Sequence, residues 1–325
     1  MKRATARSKT PAKKATRAGK TAAGKPAAAA RPKRPQPGKT PAHPDPERAA
    51  TVLAARPDLP PAPSDDLAGR PFTLCTLNCN GLRSAQNRGF SRWLKRTHPD
   101  VLCLQEVRAW PDQVPAELRC PPGYNSRFLN GGKKGYAGVA TYSRPAADRH
   151  VEGSGLSWGD QEGRALRTDF GGVTVLNLYL PSGSSSPDRQ ILKFEYLEHL
   201  SQRAAALLGE GRPVVICGDL NIAHTELDIA RPRENSKNSG FLPAEREWIS
   251  GLLDAGWVDV LRHLHPDEAK LYSWWSNRGQ ARKNDVGWRI DYVLASPELA
   301  ERAEEAWIDK RAGLSDHAPV WVRFR

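Results

Sequence analysis

Long hydrophobic runs are absent from this sequence. No apolar stretch approaches the roughly 18 residues that a transmembrane helix needs, and no apolar signal-peptide core follows the N-terminus. A membrane partner is therefore not expected. Cysteine is scarce as well: Cys75, Cys79, Cys103, Cys120 and Cys217 form no C-x-x-C pair. Odd in number and scattered, they read as buried, reduced thiols in a reducing compartment, which excludes a disulfide framework and a thiolate metal site. Acidic residues are missing from the first 44 positions, which hold 13 Lys and Arg before Asp45, the first carboxylate. The whole chain is +13, from 49 basic and 36 acidic residues, so the part from Asp45 onward balances at 36 of each. The net charge belongs to the tail, and any nucleic-acid cleft in the body has to be basic by local arrangement.

Hydrophobic residues make up only 39% of the chain, and the shortfall lies in the same N-terminal stretch. Residues 1–44 are almost entirely Lys, Arg, Ala, Pro, Thr and Gly, with too little apolar surface to offset their ordering entropy. The proline-rich stretch at 57–63 extends this linker to about residue 70. We expect a disordered tail and linker over 1–70 and a single catalytic domain over 71–325. The tail is suited to hold DNA without sequence preference; the alternative is a purely solubilising segment.

From Pro71 short apolar runs recur at 72–77, 101–104, 138–142, 173–180, 214–217, 290–294 and 320–324, each of strand length and rich in Val, Leu, Ile and Tyr. Helical patterns lie between them at 91–97, 187–208, 243–253 and 297–303. The longest has Ile191, Leu192, Phe194, Leu197 and Leu200 at helical spacing, and the last two open with proline near the helix start. Strands interleaved with helices predict one layered α/β domain.

The chemistry sits where the strands end. The first run leads into Asn78-Cys79-Asn80-Gly81, the second into Gln105-Glu106, the fourth into Tyr179-Leu180-Pro181, and the fifth into Gly218-Asp219-Leu220-Asn221. Ile290 leads into Asp291, and Ser315-Asp316-His317 precedes the last strand. Each polar residue alone is an ordinary turn former or core contact, but six such ends in one domain form a constellation. Carboxylates with amides and no Cys/His cluster favour a hard cation such as Mg²⁺. A His paired with an Asp can stabilise phosphate charge or move a proton, and an Asp two residues before an Asn can orient a water. Together these parts suit metal-assisted phosphoester hydrolysis.

The segments Leu-Asn-Cys-Asn-Gly-Leu-Arg (77–83), Leu-Gln-Glu-Val (104–107), Tyr-Leu-Pro (179–181), Gly-Asp-Leu-Asn (218–221), Gly-Trp-Arg-Ile-Asp-Tyr (287–292) and Leu-Ser-Asp-His-Ala-Pro (314–319) resemble, in order, the motifs of the endonuclease/exonuclease/phosphatase superfamily. Within it the chain resembles exodeoxyribonuclease III and the abasic-site endonucleases. The resemblance spans nearly all of 71–325 and implies a four-layer sandwich, two β-sheets face to face with helices outside. It implies that Glu106 is the principal Mg²⁺ ligand (Mn²⁺ a substitute), supported by Asn78 and Asp316, with Asp219 and Asn221 as further candidates. Asp219 matches the residue that positions or deprotonates water, Asn221 the phosphate-binding amide, Tyr179 the tyrosine near the scissile phosphate, and His317 with Asp291 the phosphate-contacting dyad. Whether Asp219 or the dyad is the base stays open at this point.

The stretch from Tyr272 to Asp291 resembles the segment that forms a small apolar pocket for a flipped, base-free sugar, with Trp274, Trp288 and Ile290 at the pocket positions; Trp275 reads as core. Arg278, Arg282 and Lys283 are candidates for backbone phosphates, and Asn238 lies in a loop, residues 233–241, resembling the family's DNA-side loop. Two departures stand out: Asn80 sits where some relatives carry a metal-side Asp, and Ser182 where relatives often carry Asn or Gln. The expected activity is cleavage of duplex DNA 5′ to abasic sites with 3′-end trimming, by a monomer in a bacterial cytoplasm, or in a nucleus if the source is eukaryotic. The competing readings are a phosphatase or lipid phosphodiesterase on the same core and a non-enzymatic DNA-binding protein.

Overall fold

The structure is a computed structural model that describes residues 66–325. Residues 1–65 lie outside the described residues, and with them the expectations for the basic tail. The body begins slightly earlier than the sequence reading has it. Leu67 is completely buried in the core, capped by an Asp66 carboxylate that accepts from Ala68 N and Gly172 N, so residues 66–70 belong to the domain.

Twelve strands make up the body: β1 (Phe72–Asn78), β2 (Val101–Gln105), β3 (Asn125–Leu129), β4 (Val139–Ser143), β5 (Arg149–Glu152), β6 (Ala165–Phe170), β7 (Val173–Tyr179), β8 (Val214–Asp219), β9 (Val258–Asp259), β10 (Asp291–Ala295), β11 (Ala303–Ile308) and β12 (Val320–Phe324). They form two six-stranded sheets, ordered β11-β12-β1-β2-β4-β3 and β5-β6-β7-β8-β10-β9. Each sheet is antiparallel except for one central pair, β1–β2 in the first and β7–β8 in the second. The seven expected strands are all present. The others have no continuous apolar run: β3 is Asn-Ser-Arg-Phe-Leu and β5 is Arg-His-Val-Glu, both at sheet edges where one flank stays open.

Period-two alternation sets the layers. Phe72, Leu74, Val175, Val215, Cys217 and Val293 point between the sheets, while Cys75, Leu77 and Leu104 on one side and Leu176, Leu178 and Ile216 on the other pack under helices. This is the expected four-layer sandwich. Towards one end the inter-sheet layer turns polar: the Gln105 amide donates to Asn177 Oδ1 at 2.8 Å and to Thr76 Oγ1 at 2.9 Å, all three buried. The carboxyl ends of both parallel pairs open there.

The long helix, Pro187–Gly209, starts at a Ser186 cap whose hydroxyl accepts from Arg189 N, with Pro187 in the first turn. Its buried face differs from the expected stripe. Lys193, Tyr196, Leu197, Leu200, Ala204 and Leu207 face inward, whereas Ile191 is 65% and Phe194 37% exposed. The spacing of three and four runs through Lys193, a residue that composition alone assigns to solvent. Four cysteines are buried as expected, but Cys120 is exposed at the end of the short helix Ala116–Arg119.

Candidate active site

The Gly218-Asp219-Leu220-Asn221 turn is the centre of the site. Gly218 has φ 140°, and a Cβ there would lie 1.8 Å from the Leu178 carbonyl oxygen of the neighbouring strand, so only glycine permits this approach. The next residue, Asp219, pairs in register with Tyr179 on one side and Asp291 on the other. Asn221 adopts the left-handed region (φ 51°), a conformation asparagine tolerates. Its backbone N–H donates to Asp219 Oδ1 at 2.8 Å, and its side-chain amide to the Leu180 carbonyl at 2.8 Å.

The ends of β1 and β2 supply the facing wall. Asn78, fully buried, donates both amide hydrogens, one to Glu106 Oε1 and one to Asp219 Oδ2, each at 2.8 Å. So oriented, Asn78 bridges Glu106 and Asp219, and these two carboxylates line the cleft together with Asp316. Tyr179 OH also donates to Glu106 Oε1 at 2.8 Å, and Arg108 pairs with Oε2. Glu106 and Arg108 both have positive φ, a cost of roughly 1 kcal/mol or more for each such residue and characteristic of a functional turn. Asp316 accepts from Asn80 Nδ2 at 2.8 Å and from Trp274 Nε1 at 3.2 Å.

In the cleft wall His317 Nδ1 donates to Asp291 Oδ2 at 2.8 Å, while its Nε2 lies 3.9 Å from Asp219 Oδ2. Ser273, not singled out from the sequence, donates to Asp291 Oδ2 at 2.6 Å and completes a Ser–Asp–His chain. Burial alone would lower the His317 pKa, but Asp291, with Asp219 and Asp316 beyond it, raises it to about 10. Burial pushes Asp219 up to about 7, opposed by His317 and reinforced by Asp291 and Glu106. Burial also drives Tyr179 well above its ordinary value, so the phenol stays a donor.

These groups line a cleft of about 1160 Å³ with Asn80, Asn238, Arg278, Ser182 to Ser186 and the aromatic corner of Trp274, Trp288 and Ile290. The two indoles meet edge to face, centroids 6.0 Å apart, and with Ile290 they pack on Ala223, Ile229 and Phe241. Trp275 is buried. Arg282 is elsewhere: its guanidinium donates to the carbonyls of Ser315 (2.6 Å) and Lys310 (3.0 Å) and stacks on Trp275, in a smaller recess beside the cleft. Arg164, another residue without a sequence signal, is buried with its guanidinium 4.6 Å from the Tyr179 ring centroid and donates to the Tyr179 carbonyl.

The donor set fits a hard divalent cation. Glu106, Asp219 and Asp316 line the cleft with carboxylate oxygens and no thiol, the oxygen donors that such an ion prefers.

The model of the endonuclease/exonuclease/phosphatase family matches residues 75–317. The chain belongs to this family. It is 38% identical over 248 residues to the exodeoxyribonuclease of Bacillus subtilis, covering 76% of this chain and 97% of that protein. It is 35% identical to the DNA repair nuclease APEX1 of Danio rerio, covering 75% of this chain and 79% of the relative. Among solved structures, an AP endonuclease from Archaeoglobus fulgidus superposes with a TM-score of 0.72 at 30% identity, over 78% of this chain and 99% of that one. A 3′-5′ exonuclease from Neisseria meningitidis superposes at 0.71 and 30%, over the same shares. These matches put this family member in the exodeoxyribonuclease III and AP endonuclease branch, as a phosphoric diester hydrolase of a metal-dependent family. Among the described residues no helix is long and apolar enough to cross a membrane.

Proposed function

We propose that this enzyme is a Mg²⁺-dependent DNA repair nuclease that hydrolyses the phosphodiester 5′ to abasic sites in duplex DNA and trims blocked 3′ ends. The observation that carries the reading is the shared cleft: the apolar corner of Trp274, Trp288 and Ile290 opens beside Asp219 and His317. An apolar recess of this kind accepts a sugar that lacks a base, and such a nucleotide is the easiest to flip out of a duplex. The relatives' names, an exodeoxyribonuclease and a DNA repair nuclease, agree with it.

Glu106 and Asp316 would hold the cation, with Asp219 and Asn221 adjacent; Mn²⁺ has the same donor preference. When bound, Mg²⁺ supplies positive charge to the phosphate and its leaving oxygen. Asp219 accepts a proton from the attacking water as the new O–P bond forms and the P–O3′ bond breaks. Asp219 is our choice of the two candidate bases, because the Asp291 carboxylate hydrogen-bonded to His317 favours the protonated imidazole. The imidazolium, the Asn221 amide and the Tyr179 hydroxyl instead stabilise the phosphorane oxygens. Asn238, Asn80 and Arg278 on the cleft wall meet the DNA backbone, and the basic stretch of residues 1–44 adds a sequence-independent hold on the duplex.

One gel tests this. Wild-type enzyme with Mg²⁺ should nick an abasic duplex 5′ to the lesion, EDTA should abolish the nick, and Trp288→Ala should slow it about 10- to 100-fold while sparing 3′-end trimming. Intact duplex after wild-type treatment would refute the reading. Equal rates of Trp288→Ala and wild type on abasic DNA would remove the pocket from it.

A further inference from the structure

Lys193 and Glu245 form an ion pair, Nζ to Oε1 at 2.6 Å, with neither side chain exposed to solvent. Such a pair contributes little net stability, because desolvating two ions consumes most of their attraction. Its remaining bonds run to the active-site cleft. Lys193 Nζ donates to the Asn221 carbonyl at 2.8 Å. Glu245 Oε2 accepts from Gly240 N at 2.6 Å and Leu242 N at 3.0 Å, and Oε1 also accepts from Gln190 Nε2 at 3.0 Å. Asn221, Gly240, Leu242 and Gln190 all line the cleft.

The parts held by the pair also interlock. Gly240 has φ 92°, and a Cβ on it would lie 3.0 Å from the Trp288 ring and 3.1 Å from the Asn221 oxygen. Asn221 itself sits in the left-handed region, its carbonyl held by the ammonium and its side-chain amide donating to the Leu180 carbonyl and to Asp219 Oδ2.

We propose that Lys193 and Glu245 are positioning residues: the ammonium fixes the Asn221 turn and the carboxylate fixes the Gly240 loop against Trp288, so that phosphate and sugar are gripped in register. The proposal rests on the reading of Asn221 as a phosphate-binding amide. Burial of the ammonium lowers the Lys193 pKa, opposed by Glu245 and then Asp219.

The test is a double-mutant cycle on full-length enzyme with an abasic-site duplex and Mg²⁺, read as single-turnover rate, KM and thermal unfolding. Lys193→Met should lower the rate about 10- to 100-fold with KM changed less than about threefold, and Lys193→Met/Asn221→Ala should be no slower than Asn221→Ala alone. Where Lys193→Met leaves the carboxylate too costly to fold around, Lys193→Met/Glu245→Gln, which buries no unpaired ion, carries the same comparison. A folded variant at the wild-type rate, or losses that multiply with Asn221→Ala, would overturn the proposal; so would failure of both variants to fold, which would make the pair structural. A wild-type rate for Asn221→Ala would instead refute the phosphate role of Asn221, and the proposal with it.

Discussion

Two clusters of buried charge lie on either side of the aromatic corner, and they are built from the same materials. In one, Asp228 meets Arg289 at 2.7 Å and Arg262 at 2.6 Å, and Arg289 also reaches Asp259 at 2.7 Å. Two carboxylates face two guanidiniums, and although burial would raise the Asp228 pKa, Arg289 holds it well below the usual range. In the other, Asp219, Asp291, Glu106 and Asp316 share one imidazolium and the guanidinium of Arg108, and Asp219 is pushed up to about 7. Closed charge gives the first cluster a fixed shape, which presents Trp288 and Ile290 from the two sides of Arg289. Open charge gives the second an appetite for a cation and for a proton.

The contrast breaks most visibly under mutation. Asp219→Asn should cut abasic-site cleavage about 10³-fold and leave the unfolding midpoint equal or higher, because it removes an ion that burial disfavours. A large loss of stability on this change would erase the distinction. Asp228→Ala should do the reverse, costing about 3–5 kcal/mol in denaturant unfolding by leaving Asp259 as the one carboxylate facing Arg289 and taking that of Arg262 away, with the folded fraction cleaving within a few-fold of wild type.

A smaller effect sharpens the comparison through pH. The stability from Asp228, whose folded pKa is depressed, is present above its ordinary value of 3.8 and is lost as pH falls through the folded one. That from Asp219, whose folded pKa is raised, is full below 3.8 and is lost as pH rises through about 7. In EDTA, Asp219→Asn should therefore gain on wild type as pH rises from about 5 to about 8, while Asp228→Asn should approach wild type only in acid. Parallel slopes measured by urea unfolding would show that the two clusters are electrostatically alike.

Legibility divides along the same line. The open cluster sits in strand-end motifs whose polar residues interrupt apolar runs, so Asn78, Glu106, Tyr179, Asp219, Asp291 and His317 stand out in the sequence. Supporting groups carry no such contrast. Lys193 lies in a helix full of charged residues, Arg164 immediately precedes the strand Ala-Leu-Arg-Thr-Asp-Phe (165–170), and Ser273 is one serine beside two tryptophans. Their importance comes from partners 15 to 52 residues away, such as Tyr179 and Glu245, which spacing cannot reveal. The edge strands β3, β5 and β11 escaped for a related reason: with one flank open and polar residues on the outer face, they show little of the apolar periodicity that marks their neighbours. Arg282 illustrates the converse, a basic residue of surface type whose guanidinium is spent on backbone carbonyls.

The register of the second sheet has one further consequence. Tyr179, Asp219 and Asp291 stand on a single rung across β7, β8 and β10, so their separation is set by strand pitch, about 4.8 Å per step, and not by any loop. Loops bordering the cleft can lengthen, shorten or change composition over evolutionary time while the ruler beneath the reaction stays the same. Substrate choice is free to drift. A slip of one residue along β8 is the change this design does not survive, since it would turn Asp219 to the other face of the sheet.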